Sequence, residues 1–221
     1  MLWMLASLFF AGCAGREIAY GFVPKPGYDH PSPPSKSYVA VMLALAALLA
    51  WPTLHRWHFE HFLSGKATEL ADQHRASVHC NTVFDTMIDP EMLAAGHANP
   101  RTGKIGIQTP WCSTLMAYLR HPARASAEEI WSLNMFTHES MHVRGELDEA
   151  RTECQAVQRN YRAAKLLGVP DPIAKQNALD YYNDSYLHRR DMGIMQASYY
   201  SSECAPGRAW DEHLSDSTWA P

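Results

Sequence analysis

Residues 138–142 read His138-Glu139-Ser140-Met141-His142. Within a helix this spacing sets two imidazoles one turn apart on the same face. Two imidazoles so placed can bind a single zinc ion. Glu139 lies about 100 degrees round the helix from His138. Its carboxylate therefore falls beside the metal rather than on it, where a general base acting on water is needed. The pattern points to zinc-dependent hydrolysis, with His138 and His142 as ligands and Glu139 as the catalytic base.

A catalytic zinc takes a third protein ligand and keeps one position open. Acidic candidates follow at once: Glu146, Asp148, Glu149 and Glu153. A straight helix would carry Glu149 about 16 Å beyond His138, too far to share a metal. The chain must therefore turn, and Gly145 is the residue that permits it. A second helix can then fold back over the first. On that helix Glu149 and Glu153 are four residues apart and share a face. One carboxylate can bind the metal while the other orients a ligand histidine through its second ring nitrogen.

The His-Glu-x-x-His run followed by Asp148-Glu149-Ala150-x-x-Glu153 resembles the gluzincin metallopeptidases of the thermolysin type, whose second zinc helix carries Asn-Glu-Ala-x-x-Asp. The resemblance implies Glu149 as third zinc ligand and Glu153 as the support of a histidine. The spacer between His142 and Glu149 is shorter than in that group, and a glutamate stands at the support position. Residues 75–221 are also similar to small membrane-anchored metallopeptidase-like proteins of actinobacteria. Those share a His-Glu-x-x-His-x-x-Gly run followed by a Glu-Ala-x-x-Glu-Cys helix. A rival resemblance is to the metzincins, with Asp148 as third ligand and Met192 or Met195 in a methionine turn beneath the metal. Glu153 as a direct ligand is a further alternative. The more complete Glu-Ala-x-x-Glu pattern favours Glu149.

Several elements must position these groups. Ser126 and Glu129 form a capping box that opens a helix. Ile130, Leu133, Phe136 and Thr137 then share a face, and Gly145 ends the helix after Val143 or Arg144. A second helix is expected from about Leu147 to Leu167, and a third from about Pro172 to His188. Lys104 to Gln108 alternates and reads as a strand. Ile105–Gln108 is expected at a sheet edge, open to pairing with an extended peptide. Residues 96–103 carry turn chemistry. Cys80 to Asp89 is a short apolar element, and Cys112 to Leu119 looks helical. Tyr181, Tyr182, Tyr186 and His188 are candidate electrophiles for a tetrahedral intermediate, although the same spacing suits a core stripe. His55, His58, His61, His74 and His79 lack a carboxylate pattern and read as interfacial or solvated. The fold class expected is mainly α, with a small edge strand or sheet, and with an N-terminal transmembrane helix leading into a zincin-like helical domain.

Composition agrees with a folded chain: 47% of the 221 residues are hydrophobic and 19% charged, which argues against disorder. A formal charge of −4 leaves no basic excess to neutralise phosphates, so no nucleic-acid partner is expected. Phe10-Ala11-Gly12-Cys13 resembles a bacterial lipoprotein box. Five prolines between Pro24 and Pro34 make a linker. Tyr38 to Leu54 has no charge and reaches the lower limit for crossing a bilayer. Trp51 and Trp57 flank its far end, and Lys25 and Lys36 precede it, which favours a cytoplasmic N-terminus. A cleaved signal peptide, with Ala44-Leu45-Ala46 as the small-x-small site, and a buried core helix are the alternatives. The four cysteines downstream suit two disulfides in an oxidising compartment. Proximity favours Cys80 with Cys112 and Cys154 with Cys204.

The expected layout is an apolar stretch and proline-rich linker at 1–37, a membrane helix or signal anchor at 38–54, a stalk at 55–79, and an extracytoplasmic metallopeptidase-like domain at 80–221. The expected activity is hydrolysis of peptide or protein substrates at the cell membrane, through a single-pass chain with Zn2+ as cofactor. A zinc-stabilised surface module without catalysis, and an anchored protein without metal, are the competing expectations.

Overall fold

The computed structural model describes residues 2–220. The chain divides into two units, Met1–Phe59 and Glu60–Pro221. In the first, helix α1 (Leu2–Ala19) is followed by a non-helical segment through the prolines. Helix α2 (Lys36–Leu70) then runs for 35 residues with Pro52 inside it. The Ser7 hydroxyl donates to the Ala46 carbonyl at 2.8 Å and ties α1 to α2. Most apolar side chains here face outward, among them Leu8, Phe9, Leu48 and Trp51. The α2 helix is long and apolar enough to cross a membrane, and only 6% of its most apolar stretch is buried.

The apolar run 38–54 and the first part of the expected stalk, as far as Leu70, are thus one continuous helix, the rest of the stalk segment turns into β1, and the second compact unit begins at Glu60. Burial explains the difference. Leu63, Ala67 and Leu70 are fully buried with Ala71, so this end of α2 belongs to the core. Strand β1 (Ser77–Cys80) lies along it. The amides of Ala76, Val78 and Cys80 donate to Thr68 Oγ1, Ser64 Oγ and Glu60 Oε1 at 2.8–2.9 Å. Helix side chains cap an otherwise unpaired strand edge, and the backbone donors are satisfied.

A short helix α3 (Val83–Ile88) follows β1, and strands β2 (Gly96–Asn99) and β3 (Lys104–Ile107) complete a sheet in the order β1-β3-β2. β1 pairs with β3 in parallel, and β2 pairs with β3 antiparallel. Two expectations need correction. β3 is the central strand, not an edge: Ile105, Gly106 and Ile107 are all buried, because both sheet faces are covered. The segment 96–103 is a strand for its first half and turns only over 100–103. Gly, His, Ala and Asn are poor strand formers, but pairing and packing decide the state.

Helix α4 (Trp111–Arg120) is followed by α5 (Ala127–Arg144), α6 (Glu149–Leu166) and α7 (Asp171–Asp180). Ser126 and Glu129 form the expected reciprocal cap of α5. α5 is not amphipathic as its pattern suggested; it is buried nearly all round, between α4, α6 and strands β2 and β3. Its polar residues turn inward with partners: Ser132, Thr137 and Ser140 donate to the carbonyls of Glu129, Leu133 and Phe136. The third helix ends earlier than residue 188. Regular winding stops at Asp180, passes through a π turn over Tyr181–Ser185 and a 3-10 stretch over Tyr186–Asp191, and leads to a short α8 (Ile194–Ala197).

Two disulfides, Cys80–Cys112 and Cys154–Cys204, have the expected pairing. They join β1 to α4, and α6 to the tail. Further along, the tail is pinned to α6 by charge. Arg159, almost wholly buried, meets Glu212 at 2.6 Å, and Arg162 meets Asp216 at 2.5 Å.

Two predictions follow from this packing. Gly103 has φ +69, and a Cβ there would lie 1.9 Å from the Arg75 carbonyl oxygen. Gly103→Ala should cost about 2 kcal/mol or more in denaturant unfolding of the full chain. Gly65→Ala, in an exposed helical position with open space around it, should stabilise by about 0.5–1 kcal/mol. The second prediction concerns acid. Burial alone would raise the Glu212 pKa, but hydrogen bonds and charge from Arg159, with help from Arg144, outweigh it and lower the value from 4.5. A depressed folded-state pKa gives stability that is complete above the unfolded value and is lost as pH falls through the folded one. The stability gap between wild type and Glu212→Gln should therefore be constant near neutrality and shrink below about pH 4.5. A gap that stays unchanged down to pH 3 would contradict the pairing.

Candidate metal centre

Gly145 closes α5 in the left-handed region at φ 115, and its amide donates to the carbonyls of His142 and Met141. The chain then reverses over three residues and α6 packs back along α5. Asp148 is the N-cap of α6: its Oδ1 accepts the Arg151 amide at 2.9 Å. Glu146 accepts the amides of Leu147 and Asp148. Neither carboxylate reaches the histidines. Glu149, first residue of α6, does.

The Glu149 Oε2 atom lies 3.2 Å from His138 Nε2 and 3.5 Å from His142 Nε2. Nitrogen and oxygen donors of the three residues lie within 4.8 Å of one another. The remaining ring nitrogens are committed elsewhere. His138 Nδ1 donates to Glu153 Oε2 at 2.9 Å, and His142 Nδ1 donates to the Glu146 carbonyl at 2.8 Å. These bonds make Nδ1 a donor in each ring, so Nε2 is the atom that faces the centre: as a lone pair for a cation when the ring is neutral, or as an N–H donating to Glu149 when the ring is protonated. Three electron-rich atoms so close repel unless positive charge, from protons or from a bound cation, lies among them. The chemistry of the donor set thus fits a cation, and two imidazoles with a carboxylate are a zinc-type set.

The electrostatics show the same demand. Burial would favour neutral rings, but hydrogen bonds to Glu149, and to Glu153 for His138, raise the pKa of both histidines. Glu149 is held well below the carboxylate range by His138 and His142. Glu153 is fully buried, which alone would raise its pKa; the Arg189 charge and the His138 hydrogen bond lower it instead.

Behind the centre Glu153 is a hub. Its Oε1 accepts from Asn134 Nδ2 at 3.0 Å and from the Tyr181 hydroxyl at 2.7 Å, and it pairs with Arg189 at 3.2 Å. Arg189 also donates to Tyr181 and Gln196. Glu153 therefore supports a histidine and is not itself grouped with the candidate ligands. Glu139 is also buried, and burial raises its pKa. Its Oε2 has no hydrogen-bond partner. Gly96 on β2 lies against it: a Cβ there would sit 3.1 Å from Glu139 Cγ and 2.7 Å from Met135 Sδ. A cavity of about 580 Å³ opens beside Glu139 and His138, walled by Ala95, Gly96, Trp111, Trp131 and Met135.

The core reading of the tyrosine stripe holds for Tyr181, Tyr182 and Tyr186, all of them buried. Tyr181 holds Glu153 from behind, and Tyr182 and Tyr186 stack on each other in the core. His188 does not line the cavity. The phenol at the centre is Tyr199, whose ring lies 5.6 Å from that of His138. It lines the cavity beside Glu139 and a second recess containing His97, His142 and Glu149. Neither Tyr199 nor Arg189 carried a signal in the sequence, because each arrives from the irregular segment after α7. Met192 and Met195 are exposed and form no turn beneath the histidines.

Glu153→Gln should lower stability by roughly 3 kcal/mol, since it leaves the buried Arg189 without its counter-charge. Thermal or urea unfolding of the variant checks this, and an unchanged midpoint would remove Glu153 from its central place. No protein-family model, curated protein or solved structure matches this chain, so its centre is interpreted from its own geometry.

Proposed function

We propose that the chain is a membrane-anchored zinc-dependent peptidase in which His138, His142 and Glu149 hold the metal and Glu139 is the general base. One observation carries the reading. Both Nδ1 atoms are tied down while both Nε2 atoms converge with Glu149, and the unpartnered Glu139 oxygen stands on a cavity wall next to them. A structural zinc site is closed by four protein ligands, whereas a catalytic one keeps a position open. Three candidate ligands beside a cavity favour catalysis over a purely structural role.

Zinc held there would supply Lewis acidity, easing deprotonation of water and polarising the scissile carbonyl. The chain's own groups supply the rest. Glu139 takes a proton from the attacking water and returns it to the leaving amine. Glu153 keeps His138 in the tautomer that offers Nε2, and Arg189 keeps Glu153 ionised. β2 is the antiparallel edge of the sheet, and its Gly96 adjoins Glu139. An extended peptide added there would pass the general base, with a side chain directed to the cavity. This role belongs to β2 rather than to Ile105–Gln108. The apolar part of α2 would anchor the peptidase, with its catalytic unit outside the cytoplasm where both disulfides persist.

Glu139→Gln should retain about one zinc per chain and lose at least ~100-fold in peptide cleavage. His142→Ala should lose the zinc as well. Metal analysis of protein purified without chelator, alongside a peptide-cleavage assay, tests both. Wild-type protein free of zinc, or a fully active Glu139→Gln, would overturn the proposal.

A further inference from the structure

In the first unit, helices α1 and α2 meet along one narrow seam. The Ser7 hydroxyl reaches the Ala46 carbonyl, and toward the linker the Ser35 amide donates to Glu17 Oε1 at 3.3 Å. Ten residues separate Glu17 from Ser7 and eleven separate Ser35 from Ala46. About 15 Å of α1 therefore runs beside about 16.5 Å of α2, and the two helices are antiparallel and in step. The shielded side chains repeat the register. They are Ser7, Phe10 and Ala14 on α1, and Val39, Met42, Ala46 and Leu49 on α2, at spacings of three and four. The most deeply buried of them are Ser7, Ala14 and Ala46, and small side chains let two helices approach closely.

Away from the seam the pair is apolar and exposed. Leu5, Leu8 and Phe9 of α1 and Val41, Leu43 and Leu48 of α2 all lie outside it. A helix pair in water has the opposite pattern, with its large apolar residues in the seam. Helices packed in a bilayer put small residues between them and large ones toward lipid. The charges follow the same division. By the register, residues 2–15 of α1 lie level with 38–51 of α2, and neither stretch carries a charge. Arg16, Glu17, Lys25, Asp29 and Lys36 collect at the linker end, where Lys25 pairs with Glu17 at 3.5 Å. Alone, the uncharged part of α1 reaches only about 21 Å, short of a core of roughly 30 Å. Held against α2 over that whole length, it shares the depth of α2, and the bilayer takes up the shortfall by local thinning.

We propose that α1 and α2 form a transmembrane hairpin: the chain crosses the bilayer twice, the proline linker lies on the cytoplasmic side, and the outer faces of both helices meet lipid. The proposal rests on the reading of α2 as a membrane span, but not on metal or catalysis. Arg16, Lys25 and Lys36, in or beside the linker, agree with its cytoplasmic placement. The charge pattern before α2 pointed to a single crossing with residues 1–37 in the cytoplasm. The hairpin keeps the linker there and carries the start of α1 to the opposite side.

The test uses the full chain with Cys13→Ser, expressed in bacterial spheroplasts; the other four cysteines are held in disulfides. Single cysteines are placed at His30→Cys in the linker, at Arg101→Cys downstream of α2, and in a short Ser-Gly-Cys extension ahead of residue 1. A membrane-impermeant maleimide is added before and after permeabilisation. In intact spheroplasts the extension and position 101 should label severalfold more than position 30, and all three should label after permeabilisation. If the extension and position 30 are protected while 101 labels, the hairpin is wrong and the single span stands. Loss of the extension from the membrane-bound chain also overturns the hairpin. If positions 30 and 101 label alike, or the chain is extracted at alkaline pH, the span falls with the hairpin. Labelling at position 30 alone would reverse the linker's side and overturn the proposal. High-yield disulfide crosslinking between chains carrying Leu8→Cys would assign the outer face to a second copy instead of lipid and overturn it too.

Discussion

The candidate centre depends on one buried carboxylate. Glu153 sits on α6, takes the Nδ1 proton of His138 on α5, and pairs with Arg189 from the segment after α7. Asn134 and Tyr181 occupy its remaining acceptor capacity. Three stretches of chain thus meet at a single charge with no water needed to satisfy it. Burying that charge alone would be costly, so its partners must all be in place together. The winding departs from regular helix at Tyr181, one of those partners. A π turn widens the helix locally, and such turns recur at functional sites. Here it accompanies the placement of the Tyr181 hydroxyl against Glu153 and Asn134.

What could be read from the sequence was local, and what could not was long-range. The capping box at Ser126 and the stop at Gly145 are chemistry within a few residues, and both occur as read. The fold-back of α6 followed from distance alone, since Glu149 cannot reach His138 along a straight helix. Both disulfide pairs also followed from proximity. β2 was hidden because Gly96, His97, Ala98 and Asn99 have turn-like preferences, and only pairing with β3 makes them a strand. The edge assigned to Ile105–Gln108 failed because alternation says nothing about how many neighbours a strand has. Tyr199 and Arg189 were hidden for a related reason: they reach the centre from irregular chain, where no periodicity marks a direction. The amphipathic reading of α5 failed because helix-period arguments assume one wet face, and α5 has almost none.

α5 and α3 are opposite solutions to the same problem. α5 buries Asn134, His138 and Glu139 in the middle of the second unit. Such groups cost stability unless they are hydrogen-bonded, and nearly all of them are. The exception is the Glu139 oxygen that has no partner. His97 Nδ1 and Arg189 Nε, on neighbouring elements, are likewise buried without a partner, so the unmet hydrogen-bonding capacity of this region is shared and Glu139 holds the part that lies on α5. α3 has the reverse character, with apolar groups outside and polar groups inside. The chain that follows α3, at Met92 and Leu93, lines the same cavity as Glu139 of α5.

A polar centre inside a small unit needs rigidity from another source, because hydrogen bonds here replace apolar packing that would have resisted unfolding. The disulfides supply part of it at the right places. Cys154 follows Glu153 directly, so its bridge to Cys204 anchors the turn of α6 that carries the hub. Cys80 ends β1, and its bridge to Cys112 holds the start of α4, whose Trp111 ring lies tilted against that of Trp131 of α5, centroids 4.5 Å apart, on the cavity wall. A crosslink stabilises chiefly by narrowing the unfolded ensemble. It therefore adds stability without adding groups that would crowd the centre. Covalent staples on both sides of a hydrogen-bonded hub thus offset stability lost where polar groups stand in place of apolar packing.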